Sequence, residues 1–265
     1  MRTAISLTIA ALAMTGAAMA DTAYIEPSTF APKLEQTITV ETSFNDYCCV
    51  PKYPVRSQSF AVITPDGSET APDRIELFAN STVLEHTVMH AGTTRFTTGE
   101  RLGRKGGEFV LLDGDYYMVN SDDAEPIEVP DGTPILSSQT ATVSDSYVTI
   151  GDPTWASVEA SIGRLVMTPL AHPSSLSKGD TLTVALSFDG EPLAGQSLVL
   201  TRSGQAERPG DEGISFVSDP TGKIEIPLEH IGTHLIMTRL QAPAPADAET
   251  DIRSYTTSLT FHVGL

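Results

Sequence analysis

The chain predicts an all-β protein built as two immunoglobulin-like β-sandwich domains in tandem, and three observations point there. Short runs of β-branched and aromatic residues alternate apolar with polar at period two, the pattern of half-buried strands. Turn sequences such as Pro65-Asp66-Gly67, Asp113-Gly114, Asp189-Gly190 and Asp219-Pro220-Thr221-Gly222 punctuate those runs. The length of 265 residues suits two domains of roughly 100 residues or slightly more once a leader is set aside. No heptad, no long amphipathic helix and no internal repeat interrupts this reading.

The leader comes first. Met1-Arg2, an uncharged apolar run from Thr3 to Ala18, and Ala18-Met19-Ala20 form the three parts of a secretory signal. The run falls short of the roughly 20 apolar residues of a membrane span, and no cysteine follows it to accept a lipid. Residues 1–20 are therefore expected to be removed. The mature chain then begins at Asp21, is exported to the periplasm and makes no membrane insertion.

Residues 21–152 form the expected N-terminal β domain. Gln36 to Phe44 alternates over a β-branched run, and Ser59 to Thr64 ends at the Pro65-Asp66-Gly67 turn. Glu108 to Leu112, then Asp113-Gly114, then Asp115 to Val119 is the clearest hairpin, with Asp-Gly where a type I′ turn needs positive φ twice. Ser121 to Pro134 is acidic and proline-punctuated, so it is expected as loop with a short strand near Ile127-Glu128-Val129. Ser144 to Ile150 is a further strand. Asp152-Pro153 then starts a turn, and Thr154 to Ile162 is the one place for a short helical turn. Trp155, the only tryptophan, is expected to pack at this junction, since one isolated aromatic makes a poor sugar platform.

Residues 163–265 form the expected C-terminal immunoglobulin-like β-sandwich. Its strands are Arg164–Thr168, Thr181–Phe188, Gln196–Thr201, Ile214–Val217, Ile224–Ile226, His234–Arg239 and Tyr255–Val263. Alternation assigns Leu182, Val184, Leu186, Leu198, Leu200, Leu235, Met237, Leu259 and Phe261 to its core. In the last strand Ser258, Thr260 and His262 take the other face, with His262 outward.

Composition narrows function. Thirty-four acids against 16 basic residues give a formal net charge of −18. That balance favours solubility, attracts cations and repels nucleic acid, and no basic patch with interleaved aromatics exists. No Gly-x-Ser-x-Gly elbow, phosphate loop or His-Glu-x-x-His helix is present, so the expectation is no enzyme. ATP and reduced nicotinamide cofactors are not expected outside the cytoplasm.

Only two cysteines occur, the adjacent Cys48 and Cys49. Disulfide geometry favours Cα atoms about 4.4–6.8 Å apart, whereas a trans peptide holds neighbours at about 3.8 Å. A small-ring bridge, two thiols on opposite strand faces and a pair of soft metal ligands all stay open.

Metal ligation is the remaining chemistry. His86 with His90, and His230 with His234, have His-x-x-x-His spacing. On a helix such residues are neighbours at about 6 Å; on a strand they lie about 13 Å apart and share no ion. Neither pair is evidently helical, so exposed histidines are the default for each and ligation the alternative. His172 differs, because Leu170 to Leu176 places it in an extended segment held by Pro173. It is a candidate metal ligand or a histidine bonded to a loop carbonyl.

Several segments together resemble a known family. Leu170 to Leu176, Phe188 to Gly195, Met237-Thr238-Arg239 and Arg253 to Phe261 are similar to the family named domain of unknown function 4198. Tyr24 to Phe30 and Thr98 to Gly103 resemble its first half. Members include exported proteins assigned as accessories of nickel or cobalt uptake. The resemblance implies a periplasmic, non-catalytic, all-β protein linked to transition-metal acquisition, and it carries His172 onto a matching motif. Members commonly have a histidine directly after the cleavage site; here that place is Asp21-Thr22, a harder and weaker donor set.

The first functional expectation is thus a metal-ion-binding accessory of a nickel/cobalt-type uptake system. It would bind a divalent transition metal (nickel, cobalt, zinc or copper) that folding does not require, beside an envelope metal transporter or receptor. The second is a β-sandwich module that binds a protein partner or a cell-envelope glycan.

Overall fold

The computed structural model describes residues 21–45, 48–119, 127–204 and 213–265; the expected signal at 1–20 lies outside the described residues. The first half contributes β1 (Thr22–Pro27), β2 (Gln36–Asn45), β3 (Tyr53–Pro54), β4 (Ala61–Ile63), β5 (Glu69–Thr70), β6 (Arg74–Leu77), β7 (Thr82–Val88), β8 (Gly92–Thr97), β9 (Arg101–Leu112), β10 (Asp115–Met118) and the long β11 (Leu136–Ile150). A four-residue helix, α1 (Ala156–Glu159), follows within the expected connection. The second half contributes β12 (Leu165–Pro169), a 3-10 turn at Pro173–Ser175, β13 (Thr181–Phe188), β14 (Glu191–Pro192), β15 (Ser197–Arg202), β16 (Ile214–Val217), β17 (Lys223–Pro227), β18 (Gly232–Pro243) and β19 (Ile252–Val263).

The protein is all-β, with two sandwich cores in chain order. The first sheet runs β1-β2-β7-β6, with β3 beside β2. Its inner face packs Ile25, Ile38, Val40 and Leu84 against Val62, Phe96 and Val148 of a second sheet. A third sheet of β12, β13, β14 and β17 buries Leu182, Val184, Leu186, Ile224 and Ile226 against Leu198, Ile236, Leu259 and Phe261 of that same second sheet.

The second sheet is shared by both halves. Its ten strands include β16-β15-β18-β19-β11-β8-β4-β5 in order, because β11 pairs in parallel with β19 from Ser138↔Ile252 to Ser146↔Thr260. Side chains alternate across a strand, so this register sets Asp145 and Tyr147 on the face of Leu259 and Phe261. Ser144, Ser146 and Val148 share the face of Ser258 and Thr260. The two cores therefore lie on opposite faces of one sheet. Where β1 crosses the seam, Ser258 donates to the Ala23 carbonyl (2.6 Å) and Ser144 to the same oxygen (3.1 Å). On the other face, Arg95 of β8 grips Asp145 with two bonds of 2.9 and 2.6 Å. Its third nitrogen donates to the Ala160 carbonyl beyond α1. Both members are nearly out of water, at 5% and 7% exposure.

The shared sheet explains where alternation misleads. Leu235 and Met237 are buried as expected, but it is Ile236 between them that joins the second core. Leu235 packs instead with Tyr24 and Cys48, under the first sheet. Ser258 and Thr260, read as the open face of the last strand, are buried for the same reason, whereas His262 is exposed as expected and stacks on Phe30 at 5.4 Å. No strand forms at Ile127–Val129. Pro126 and Pro130 bracket those residues, and proline lacks the N–H a ladder needs. The Asp113-Gly114 hairpin turn does form, with φ of 52° and 98°.

Candidate functional site

His172 caps the 3-10 turn and is buried. Its Nδ1 accepts from the Ser174 N–H (3.2 Å), which places the ring proton on Nε2, 3.0 Å from the Thr154 carbonyl oxygen and 3.2 Å from Thr93 Oγ1. Trp155 meets the ring edge-on at 4.9 Å and is itself 40% exposed. Burial lowers the imidazole pKa, with the Thr154 bond opposing it. Both nitrogens are therefore occupied in holding the inter-half connection to β8, and the ring as placed offers no lone pair to a metal.

The other candidates separate. His86 sits buried on β7 with Nδ1 3.4 Å from Asp73 Oδ1 and its ring edge on Phe96, and burial lowers its pKa. His90 is exposed in the bend past the end of β7, so the pair follows strand geometry. His234, buried on β18, donates through Nδ1 to the Gly232 carbonyl (2.9 Å) and stacks on Phe261. Burial lowers its pKa most, with further lowering from the charges of Arg202, His230 and His262. Thr233 pairs with His262, so these two share a face of the sheet that Glu26 reaches through a bond to Thr233, whereas His234 pairs with Phe261 and turns to the opposite face. Among the described residues, no group of three or more His, Cys, Asp or Glu is arranged to hold a metal ion.

Cys48 and Cys49 are joined to one another. They occupy a turn where Cys49 has φ of 65°, not a strand, so the side chains escape strand alternation. The bridge lies beside Tyr24 and Leu235 at the seam between the halves.

A further feature of the first half was not apparent from sequence reasoning. A cleft of about 680 Å³ opens at the β6 side of the first sandwich, between β6, the 55–60 loop and the start of β9. That volume falls within the range of about 300–1,000 Å³ typical of ligand pockets. Ile75 pairs with Leu84 and Leu77 with Thr82, so both project on the inner face of their sheet. Leu84 is fully covered, yet Ile75 and Leu77 are 48% and 49% exposed, because the shared sheet does not reach over β6. Leu102 adds exposed apolar surface from β9. Arg101 supplies charge: its Nε donates to the Arg56 carbonyl (2.6 Å), and its guanidinium lies 5.0 Å from the Phe44 ring centre. Burial lowers the Arg101 pKa, and no ion pair with a carboxylate is formed by it among the described residues. Arg56 stands exposed beside it, and Glu100 at the rim turns its carboxylate toward Gly163. The only sequence signals were the Arg-Ile-Glu-Leu alternation of residues 74–77 and the Thr98–Gly103 segment.

Fold and site together define an all-β double sandwich on a shared sheet, with an open cleft in its first half. The chain belongs to the family described as "Domain of unknown function (DUF4198)", whose profile matches residues 18–242. A search of curated proteins finds no match. Among solved structures, the chain is similar to a DUF4785 family protein from Legionella pneumophila (11% identity, 81% of this chain, TM-score 0.25) and spans about 50% of that protein's length. It is also similar to the D0-D1 domain of intimin (10% identity, 90% of this chain and 97% of that one, TM-score 0.23). A third likeness is to fibronectin(III)-like modules of Clostridium thermocellum CbhA (13% identity, 91% and 94%, TM-score 0.22). No helix among the described residues is long and apolar enough to cross a membrane.

Proposed function

We propose that this protein is an exported, periplasmic, non-catalytic binding module that recognises an anionic amphiphilic ligand in the cleft of its first sandwich. The observation that carries the reading is Arg101, a partly buried cation without a carboxylate partner among the described residues, set beside half-exposed Ile75 and Leu77 in a chain of net charge −18. A buried charge lacking its counter-ion is costly unless a ligand supplies one. The setting we propose, from the resemblance read in the sequence, is that of an accessory beside a nickel/cobalt-type uptake system and its envelope transporter or receptor. The test is a fluorescence titration with anilinonaphthalene sulfonate, an anionic amphiphile. One site is expected, weakened by Arg101→Ala and by Leu77→Asp; equal binding by parent and both variants would remove the cleft from the function. Export is read separately, by an intact mass that begins at Asp21.

A second reading is direct binding of a divalent transition metal, favoured by exposed His262 on the sheet face of Thr233, which Glu26 approaches. His172 would join only by giving up its bonds to Ser174 and Thr154. Elemental analysis and calorimetry on untagged protein, beside a His230→Ala, His262→Ala variant, decide it. Imidazole ligation should weaken as pH falls through about 6.5.

A further inference from the structure

The cleft has a backbone wall as well as side chains, and that wall constrains what enters. β6 ends its sheet in the order β1-β2-β7-β6, so among the described residues no strand covers its outer edge. The Phe78 N–H bonds the Ser81 carbonyl at 2.8 Å, closing the hairpin to β7. Residues opposite each other in an antiparallel pair alternate between bonded and non-bonded. The register Glu76↔Val83 and Arg74↔Glu85 then continues the bonded set, and Ile75↔Leu84 and Leu77↔Thr82 are the non-bonded pairs. Residues of non-bonded pairs turn their own N–H and C=O away from the partner strand. Ile75 and Leu77 therefore present outward the main-chain groups of the same residues whose side chains line the cleft.

We propose that the occupant of this cleft is an extended polypeptide segment that adds a strand to β6, sets alternate apolar side chains over Ile75, Leu77 and Leu102, and delivers a carboxylate to Arg101. This rests on the reading of the cleft as the binding site and names its ligand class. Strand addition takes affinity from main-chain bonds and specificity from pockets for every second side chain. The charge is complementary: Arg101 and Arg56 stand at the groove while the chain as a whole repels acids. Self-pairing is restrained, since β6 has only four residues and its outer face carries Arg74 and Glu76 bonded to one another at 2.7 Å.

A displayed library of random linear peptides, selected in parallel on the mature protein and on its Arg101→Ala variant, tests this. Enriched peptides should alternate apolar residues, carry Asp or Glu, and bind the parent at least about tenfold tighter than Arg101→Ala, the loss of one charge-assisted hydrogen bond. Binding should slow amide exchange across residues 74–77. N-methylation of every second amide in a selected peptide should abolish binding in one register and spare it in the other. Ile75→Pro, which removes an outward N–H and leaves the bonded pairs with β7 intact, should also abolish it; the methylated peptides decide the matter if that variant does not fold. No enriched peptide, with anilinonaphthalene sulfonate still bound in an Arg101-dependent way, overturns the polypeptide occupant and leaves the cleft reading standing. Peptides that bind without protecting residues 74–77 overturn strand addition. Failure of both probes overturns both proposals.

Discussion

The two sandwiches differ in how they finish. In the second, β13 and β17 lie over β15, β18 and β19, and Leu182, Ile226 and Phe261 are lost to solvent. In the first, the inner face of β6 runs past the sheet that should cover it, leaving Ile75 and Leu77 half in water. Closure gives stability; an unclosed edge gives up burial and gains a surface. The contrast places the surface proposed for recognition in the first half.

The largest effects should therefore come from the closed half and from the seam. Phe261→Ala should cost about 3–5 kcal/mol, the usual range for emptying a buried aromatic site, read as a lowered urea midpoint. A loss under about 1 kcal/mol would mean that the second core is not closed. At the seam, Arg95→Ala strands Asp145 without its partner in a nearly water-free site. Breaking such a pair costs about 3–5 kcal/mol, more than the intact pair contributes over a hydrophobic replacement. The Arg95→Met, Asp145→Leu double variant should recover much of that loss, and a double variant no better than Arg95→Ala would place the bonds to Ala160 in control.

Strand positions in the second half were legible where a run is long enough to show its period or a turn bounds it: Thr181–Phe188 forms with the bounds alternation gave it, and the short Ile214–Val217 is followed by the Asp219–Gly222 turn. What alternation cannot convey is which face a neighbour covers. His234 to Met237 is buried on both faces, one by the third sheet's core and the other by β1 and Cys48, so choosing Leu235 and Met237 over Ile236 was arbitrary on pattern alone. The parallel pairing of β11 with β19 joins residues more than 100 positions apart and leaves no local mark. The cleft was illegible for the opposite reason. Four residues, Arg74 to Leu77, are too few to establish a period, and the openness around them depends on where another sheet stops.

Histidines sharpen the comparison at intermediate size. His172→Ala removes the acceptor for Ser174 N–H and the donor for the Thr154 carbonyl, which should cost about 1–3 kcal/mol, the range for orphaned buried groups. Metal binding, if calorimetry detects it, should survive this variant, because the ring is engaged in the connection. The protein should also be less stable at about pH 5.5 than at about pH 7.5. Burial lowers the pKa of His86, His172 and His234 in the folded chain, while the unfolded chain takes up protons near 6.5. The unfolded state then binds more protons across that window, so this stability is complete above about 6.5 and lost as pH falls below it. Glu26, whose pKa burial raises, opposes the trend. A urea midpoint unchanged or higher at the lower pH would contradict the burial of these rings, and His172→Ala should flatten the slope.

The smallest effect is the most discriminating, because it compares two residues side by side. Ile75 and Leu84 are directly paired and share a face of one sheet, so backbone conformation and side-chain size are closely matched while their cover differs. Leu84 lies under the second sheet with no exposure, and Ile75 at 48% does not. Leu84→Ala should cost about 2–5 kcal/mol, whereas Ile75→Thr, which keeps the β-branch that strands favour, should stay within about 0.5 kcal/mol. Urea melts of both variants read the difference directly. If Ile75→Thr destabilises as Leu84→Ala does, the mouth of the first sandwich is closed in solution and no ligand enters there. If it is neutral, Ile75 contributes little to folding, and an isoleucine at a half-exposed edge beside Arg101 is accounted for by what it binds.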